Sequence, residues 1–331
     1  MRAREEFVQR LSIKRARKLG SLSKEAFAEL ELAVRNDPIS FVDDVEEEAF
    51  GIVASALAHY EESLHDDDLL DDDQYVEARA QRLGLIGNAC EQALDLDPHC
   101  ADASLLRLLA ADYAPDELAG LLLELGEILE GEFGPLERGA TGDAWADVFV
   151  RPRLRVKAAL ARTCLDTARF AMTRQACEEL LSLAPIDALG ARLTYALTLA
   201  RLEDEDGFEW LDAREGRKGN AWFHLSRALL MYKLGRMPAA RRALKGYDRL
   251  CEGGAYILLQ PVYVDTYMPD RPEFEPGTFM EAMLAAHEAE PIVADTPDFV
   301  GWASEQPGFF DSAVAYCRRN GLEWRDPEVG M

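Results

Sequence analysis

What the 331 residues lack excludes several kinds of protein. No apolar run approaches the roughly 20 residues that cross a bilayer; the most apolar stretch, residues 118–125, reads LAGLLLEL and gives way to Gly126 and Glu127. Membrane insertion is therefore not expected. The N-terminus has no uninterrupted apolar segment followed by a small-residue cleavage site, as a secretory signal would. No C-x-x-C pair occurs among Cys90, Cys100, Cys164, Cys177, Cys251 and Cys317, so a reducing cytoplasm is the expected compartment. Positive charge is also short. The 36 Lys and Arg against 61 Asp and Glu leave −25, the wrong sign for a chain whose main partner is nucleic acid. G-x-S-x-G, a glycine-rich phosphate loop with its Lys, and H-E-x-x-H are all absent, so no catalytic residue is nominated and no cofactor is expected. Histidines number five, and only the adjacent His99 and Cys100 approach each other, an awkward pair for one zinc ion.

With 48% apolar and 29% charged residues the chain can bury a core. Apolar residues recur at three and four positions, as in Phe27, Leu30, Val34 and in Leu106, Leu109, Ala110, Tyr113, and strict alternation is nearly missing. An all-α fold is predicted. Asp37-Pro38, Asp97-Pro98, Ala114-Pro115, Ala184-Pro185 and Met237-Pro238 punctuate it, because proline is tolerated in the first turn of a helix and not in its interior. The predicted helices include 4–18, 23–36, 39–64, 187–202, 220–234, 237–250, 254–266 and 278–289, with Thr278 and Glu281 as a capping box. A second N-cap is read at Thr296-Pro297.

Charge falls in blocks: +5 over 1–20, −26 over 21–150, +7 over 151–250 and −11 over 251–331. The expected organisation follows them. An acidic helical part spans 1–130 with a basic first helix, a Gly-rich joint covers 131–150, helical repeats cover 151–290, and a capping segment covers 291–331. The run HDDDLLDDD at 65–73 lacks the alternating ligands, turn glycine and closing Glu of an EF-hand, and reads as a solvated acidic loop. The basic first helix is expected to dock on an acidic surface of this chain or of another copy.

Three segments share an Ala, a large apolar residue or Ala four positions on, and then a proline stop: Ala28, Leu32 and Pro38; Ala89, Ala93 and Pro98; Ala176, Leu180 and Pro185. A fourth, Ala240 and Leu244, follows Trp222-x-x-Leu225-Ser226-x-x-Leu229. This resembles the tetratricopeptide repeat, with Ser226 in place of its glycine, Leu229 of its tyrosine and Leu244 of its phenylalanine. Ala176 and Ala240 stand 64 residues apart, about twice the repeat length of roughly 34. RPRLRVKAALA from Arg151, APIDALGAR from Ala184, WFHLSRALLMYKLGR from Trp222 and EPGTFMEAMLAAHEAEPIVADTPDFVGWAS from Glu275 are similar to bacterial tetratricopeptide-type proteins related to the suppressor-of-tumorigenicity-seven family. The likeness covers about 151–304. It implies a tetratricopeptide-like α-solenoid of antiparallel helix pairs that binds other proteins, with no catalytic residues.

In such solenoids the first helix of each pair lines the concave surface. That reading nominates Arg155, Arg162, Arg192, Tyr195, His224 and Arg227, with Arg151 beside them, as a wall for an acidic peptide or protein, since guanidinium grips carboxylate through paired hydrogen bonds. Two other readings stand beside it. The arginines neutralise the chain's own Asp and Glu, and Trp222, Tyr195 and Leu229 are packing residues. The function expected is a cytoplasmic, non-enzymatic interaction scaffold. The alternatives are a peptide- or ligand-responsive sensor, working in one version through self-association of its charged segments into a homo-oligomer, and an unrecognised enzyme.

Overall fold

The computed structural model describes residues 3–324, and every regular element among them is helical. Arg2 of the expected basic helix and residues 325–331 of the expected capping segment lie outside the described residues. In chain order the α-helices are α1 (Ala3–Leu19), α2 (Lys24–Asn36), α3 (Val45–Ser63), α4 (Asp72–Leu96), α5 (Ala101–Ala110), α6 (Pro115–Phe133), α7 (Arg151–Asp166), α8 (Phe170–Leu183), α9 (Ala191–Arg201), α10 (Glu205–Arg214), α11 (Ala221–Lys233), α12 (Met237–Leu250), α13 (Gly254–Leu259), α14 (Phe279–Ala294), α15 (Asp298–Ser304) and α16 (Phe309–Arg319). None is long and apolar enough to cross a membrane.

Several helices differ from the sequence reading; the segment predicted as 187–202 begins at Ala191, and α15 is not among the predicted helices. The segment predicted as 39–64 begins at α3, because Pro38–Phe41 closes a 3₁₀ turn and the Asp44 carboxylate then caps the Glu47 N–H. The segment predicted as 254–266 stops at Leu259, two residues before Pro261, whose ring disfavours the helical conformation of the residue before it. The segment predicted as 278–289 continues through Pro291 to Ala294.

The chain divides into two compact units. The first comprises 1–157 with 267–270, the second 158–266 with 271–331, and the division falls inside α7. The Gly-rich stretch 131–150 lies wholly within the first.

In the first unit α3 is apolar on two sides. Phe50 and Ala54 meet Phe7, Val8 and Leu11 of α1 and Val34 of α2, while Ala49, Val53 and Leu57 meet Ile86, Cys90 and Ala93 of α4 and Ala103 and Leu106 of α5. Gly51 makes the α1 contact close: a Cβ there would lie 2.8 Å from the Phe7 ring. The predicted Phe27, Leu30, Val34 stripe decides the register of α2, so Ala28 is exposed and Leu32 is 59% exposed.

Charge is buried here as well. The basic helix docks on the acidic segment of its own chain: Arg10 donates to Glu47, Lys14 pairs with Asp44, Glu46 and Glu47, and Lys18 reaches Asp43. Deeper in, Arg155 of α7 is 5% exposed, and its guanidinium is held by Glu6 of α1 at 2.6 Å, Asp102 of α5 at 3.2 Å and Asp270 at 3.3 Å. Arg151 adds a 3.4 Å contact to Glu6, and both guanidiniums lie over the Trp145 ring. Burial alone would raise the pKa of Glu6, but the charge and hydrogen bonds of Arg155, with Arg151 and Arg10 behind them, hold it below its ordinary value. Asp102 goes the other way. Burial and the negative charges of Glu6 and Asp270 outweigh the attraction of Arg155 and Arg10 and push it up to about 6.

In the second unit consecutive helices pack on one another, α8 on α9, α9 on α10, and α11 on α12. Ala176, Leu180, Ala240 and Leu244 are buried at these contacts, so two of the four small-and-large pairs pack as the pattern expects. α9 also meets α11, and α14 lies against both. Trp222 is fully buried, its indole N–H donating to Glu288 of α14, while Arg271 bridges Glu288 to the Leu189 carbonyl and the Thr194 hydroxyl. All six cysteines are buried and free.

Two stability measurements test the charged core of the first unit. Arg155→Met strands Glu6 and Asp102 without their counter-charge and should lower the unfolding free energy by about 3–5 kcal/mol in urea titrations; a loss below about 1 kcal/mol contradicts the assignment. An acid with a higher pKa folded than unfolded holds its proton better when folded, so the Asp102 contribution falls as pH rises from 3.8 through about 6. The stability of Asp102→Asn relative to wild type should therefore climb by up to about 3 kcal/mol between pH 4 and pH 7.

Candidate functional site

The second unit carries a groove of about 330 Å³ lined by the end of α10, the turn after it, and the facing sides of α11 and α12. Its geometry begins in that turn. Asn220 accepts the Phe223 N–H and starts α11, and Gly219 precedes it with φ of 69°. A Cβ on Gly219 would lie 2.5 Å from Nε2 of His224, so glycine meets both the left-handed backbone and the close approach of the imidazole. Gly246 of α12 faces the other ring nitrogen, 3.5 Å from where its own Cβ would stand.

His224, Arg227 and Met231 follow one another at three and four residues along α11 and so share the groove side of that helix. Phe223, Ala239 and Ala243 complete an apolar floor. Arg227 stacks over the Phe208 ring at 5.0 Å and donates to Glu209 and Asp212, each at 2.5 Å. Burial and the positive charge of Arg227 hold the His224 pKa below its ordinary value, so the imidazole is neutral at pH 7, an uncharged donor and acceptor beside a cation. The rim is different. Arg217 and Arg242 are exposed, and neither guanidinium has a hydrogen-bond or ion-pair partner among the described residues. Lys245 and Arg249 extend the exposed stripe of Arg242 along α12.

Of the residues nominated from sequence, the fold brings His224 and Arg227 together in this groove. Arg192 stands at the start of α9, paired with Asp187 at 3.5 Å and with Glu215 at 3.3 Å, and so ties down the turn that leads to Arg217. Tyr195 is buried, its hydroxyl donating to Glu178 at 2.6 Å; burial and that carboxylate raise its pKa. Arg162 is half-buried near Asp166 and Cys177. Arg155 and Arg151 belong to the charged core of the first unit, where Arg155 is committed to Glu6, Asp102 and Asp270. The sequence reading did not name Arg217 and Arg242, because it looked along the first helix of each pair. The signal for Arg242 was present as Arg242, Lys245 and Arg249 at helical spacing with only Asp248 among them.

No metal-binding role attaches to the one compact acidic triad among the described residues, Asp44, Glu46 and Glu47, since the Lys14 ammonium already sits on all three.

The His224 environment can be read by NMR titration. Its imidazole should lose its proton below the ordinary histidine range, and Arg227→Gln, which removes the cation and leaves Asp212 in place, should move the midpoint up; a downward or absent shift contradicts the placement.

Compared with protein-family models, with curated proteins and with solved structures, the chain finds no match.

Proposed function

We propose that the protein is a non-enzymatic, tetratricopeptide-like helical-repeat scaffold that holds an acidic peptide, or an acidic segment of a partner protein, in the groove between α11 and α12. One observation carries this reading: Arg217 and Arg242 stand unpartnered on the rim of a groove with an apolar floor, in a chain whose net charge is −25. Two guanidiniums without a carboxylate of their own, flanking one groove, offer paired N–H donors to incoming carboxylates. His224 supplies an uncharged polar contact between them, and Phe223 and Met231 receive apolar side chains. The helix pairing and the burial of Ala176, Leu180, Ala240 and Leu244 support the repeat architecture. The opposite side of α11 is taken by α14 through Trp222 and Glu288, which is why the proposal uses the His224 side. Arg192 serves by anchoring the turn through Glu215.

Affinity capture from cell extract with mass spectrometry, on wild type and on Arg217→Glu with Arg242→Glu, tests it. The wild type should recover partners rich in Asp and Glu, with recovery falling as salt rises and falling at least about tenfold in the double variant, because exposed charge pairs are screened within about 10 Å at 0.1 M salt. Recovery indifferent to both salt and charge reversal rejects the groove.

A further inference from the structure

The first unit contains a larger groove, about 990 Å³, which the reading above does not use. Its floor is α3, whose groove side from Glu48 to Ser63 mixes the small Gly51, Ser55 and Ala56 with the larger Ile52, His59 and Tyr60. One wall is α4, presenting Arg82, Leu85, Ile86 and Ala89 at helical spacing, and the other holds Phe7, Ile39 and Val42. At the end of the groove where α3 stops, Arg82 is 6% exposed. Its Nη1 donates to the Ser63 carbonyl at 3.0 Å and to Asp67 at 2.6 Å. Its Nε and Nη2 are shielded from solvent and have no hydrogen-bond partner among the described residues. Most buried donors are satisfied, so two unsatisfied ones on a single guanidinium ask for an explanation. These two lie on one edge of the fork, pointing in parallel, the arrangement that receives both oxygens of a carboxylate.

We infer that this groove is a binding site for a single-chain amphiphile with an anionic head, a long-chain carboxylate, whose head pairs with the Nε and Nη2 edge of Arg82 and whose alkyl chain lies along α3. The guanidinium turns into the groove about its Nη1 contacts to receive the head. Polarity fixes the direction, because Arg82 is the guanidinium that lines the groove and the exposed Glu48 stands at the far end. Length fits. From Glu48 to Ser63 the helix advances about 22 Å at roughly 1.5 Å per residue. An extended covalent chain covers about 3.6 Å in three bonds, so the same distance takes roughly 18 bonds, and a chain of about 16 carbons fills most of it. An alkyl chain suits the lining beyond Arg82, where Ile39, Val42, Ile52, Leu85 and Ile86 make a mostly apolar groove with one guanidinium at its end.

The test is isothermal titration of the full chain with hexadecanoate below its aggregation threshold. Saturable one-to-one binding is expected, with hexadecan-1-ol and octanoate each weaker by at least about tenfold, since one lacks the charge and the other most of the buried chain. Arg82→Gln should weaken hexadecanoate by about tenfold or more and leave hexadecan-1-ol unchanged. Arg82→Lys, which keeps the charge and loses the paired edge, should fall between, and it serves in place of Arg82→Gln if that variant does not fold by circular dichroism. Ala56→Trp or Ala89→Phe should block the chain. No saturable binding, equal binding of hexadecan-1-ol, indifference to both Arg82 variants, or attachment only to phosphatidylglycerol vesicles overturns the proposal. None of these outcomes touches Arg217 or Arg242.

Discussion

A helix in this chain has one apolar stripe and nothing of its own to cover it, and isolated helices of ten to twenty residues are marginal in water. Every packing decision follows from that shortage. α3, sided on two faces, gathers α1 and α2 on one and α4 and α5 on the other. α11 is buried on most of its circumference, by α9, α12 and α14 together. At some of these contacts a small residue lets the helices approach closely, as at Gly51 against Phe7, while at others large side chains meet, as Phe50 meets Phe7.

The second constraint is electrical. A chain carrying −25 has far more carboxylates than it can pair, and it uses many of its arginines internally. Arg155 shows the limit of that strategy: with Glu6, Asp102 and Asp270 around it, Arg151 beside it and Arg10 already paired with Glu47, one carboxylate is left in surplus, and Asp102 bears the strain in its raised affinity for a proton. Arg227 is spent in the same way on Glu209 and Asp212. Arg217 and Arg242, open on the rim of one groove, and Arg82, half-used at the end of another, are among the groups the fold does not consume.

How far the sequence could be read depended on what each signal measures. Periodicity at three and four residues reports local amphipathicity, and the all-helical character and the Val34 stripe of α2 were within its reach; the Thr278 cap on the Glu281 N–H was read from residue type and formed, while Thr296 caps nothing among the described residues and donates to the Ile292 carbonyl instead. The Ala-x3-large pattern reports a tendency to close approach without saying which side of a helix is approached. Ala176 with Leu180 and Ala240 with Leu244 are buried, while Ala28 and Leu32 face outward because Phe27, Leu30 and Val34 already claim the inner side of α2. Of six nominated site residues, His224 and Arg227 share a groove because they share a helix face, a local relation.

Helical class, the punctuating prolines and the uneven charge were decided by the residues in order, because each rests on interactions within a few positions along the chain. Whether an arginine meets a carboxylate or open water was decided by tertiary structure alone. Arg155 finds Glu6 at a separation of 149 residues and Asp102 at 53, and Arg242 finds no one, since a guanidinium's partner is set by distance in space and the chain carries no local record of it.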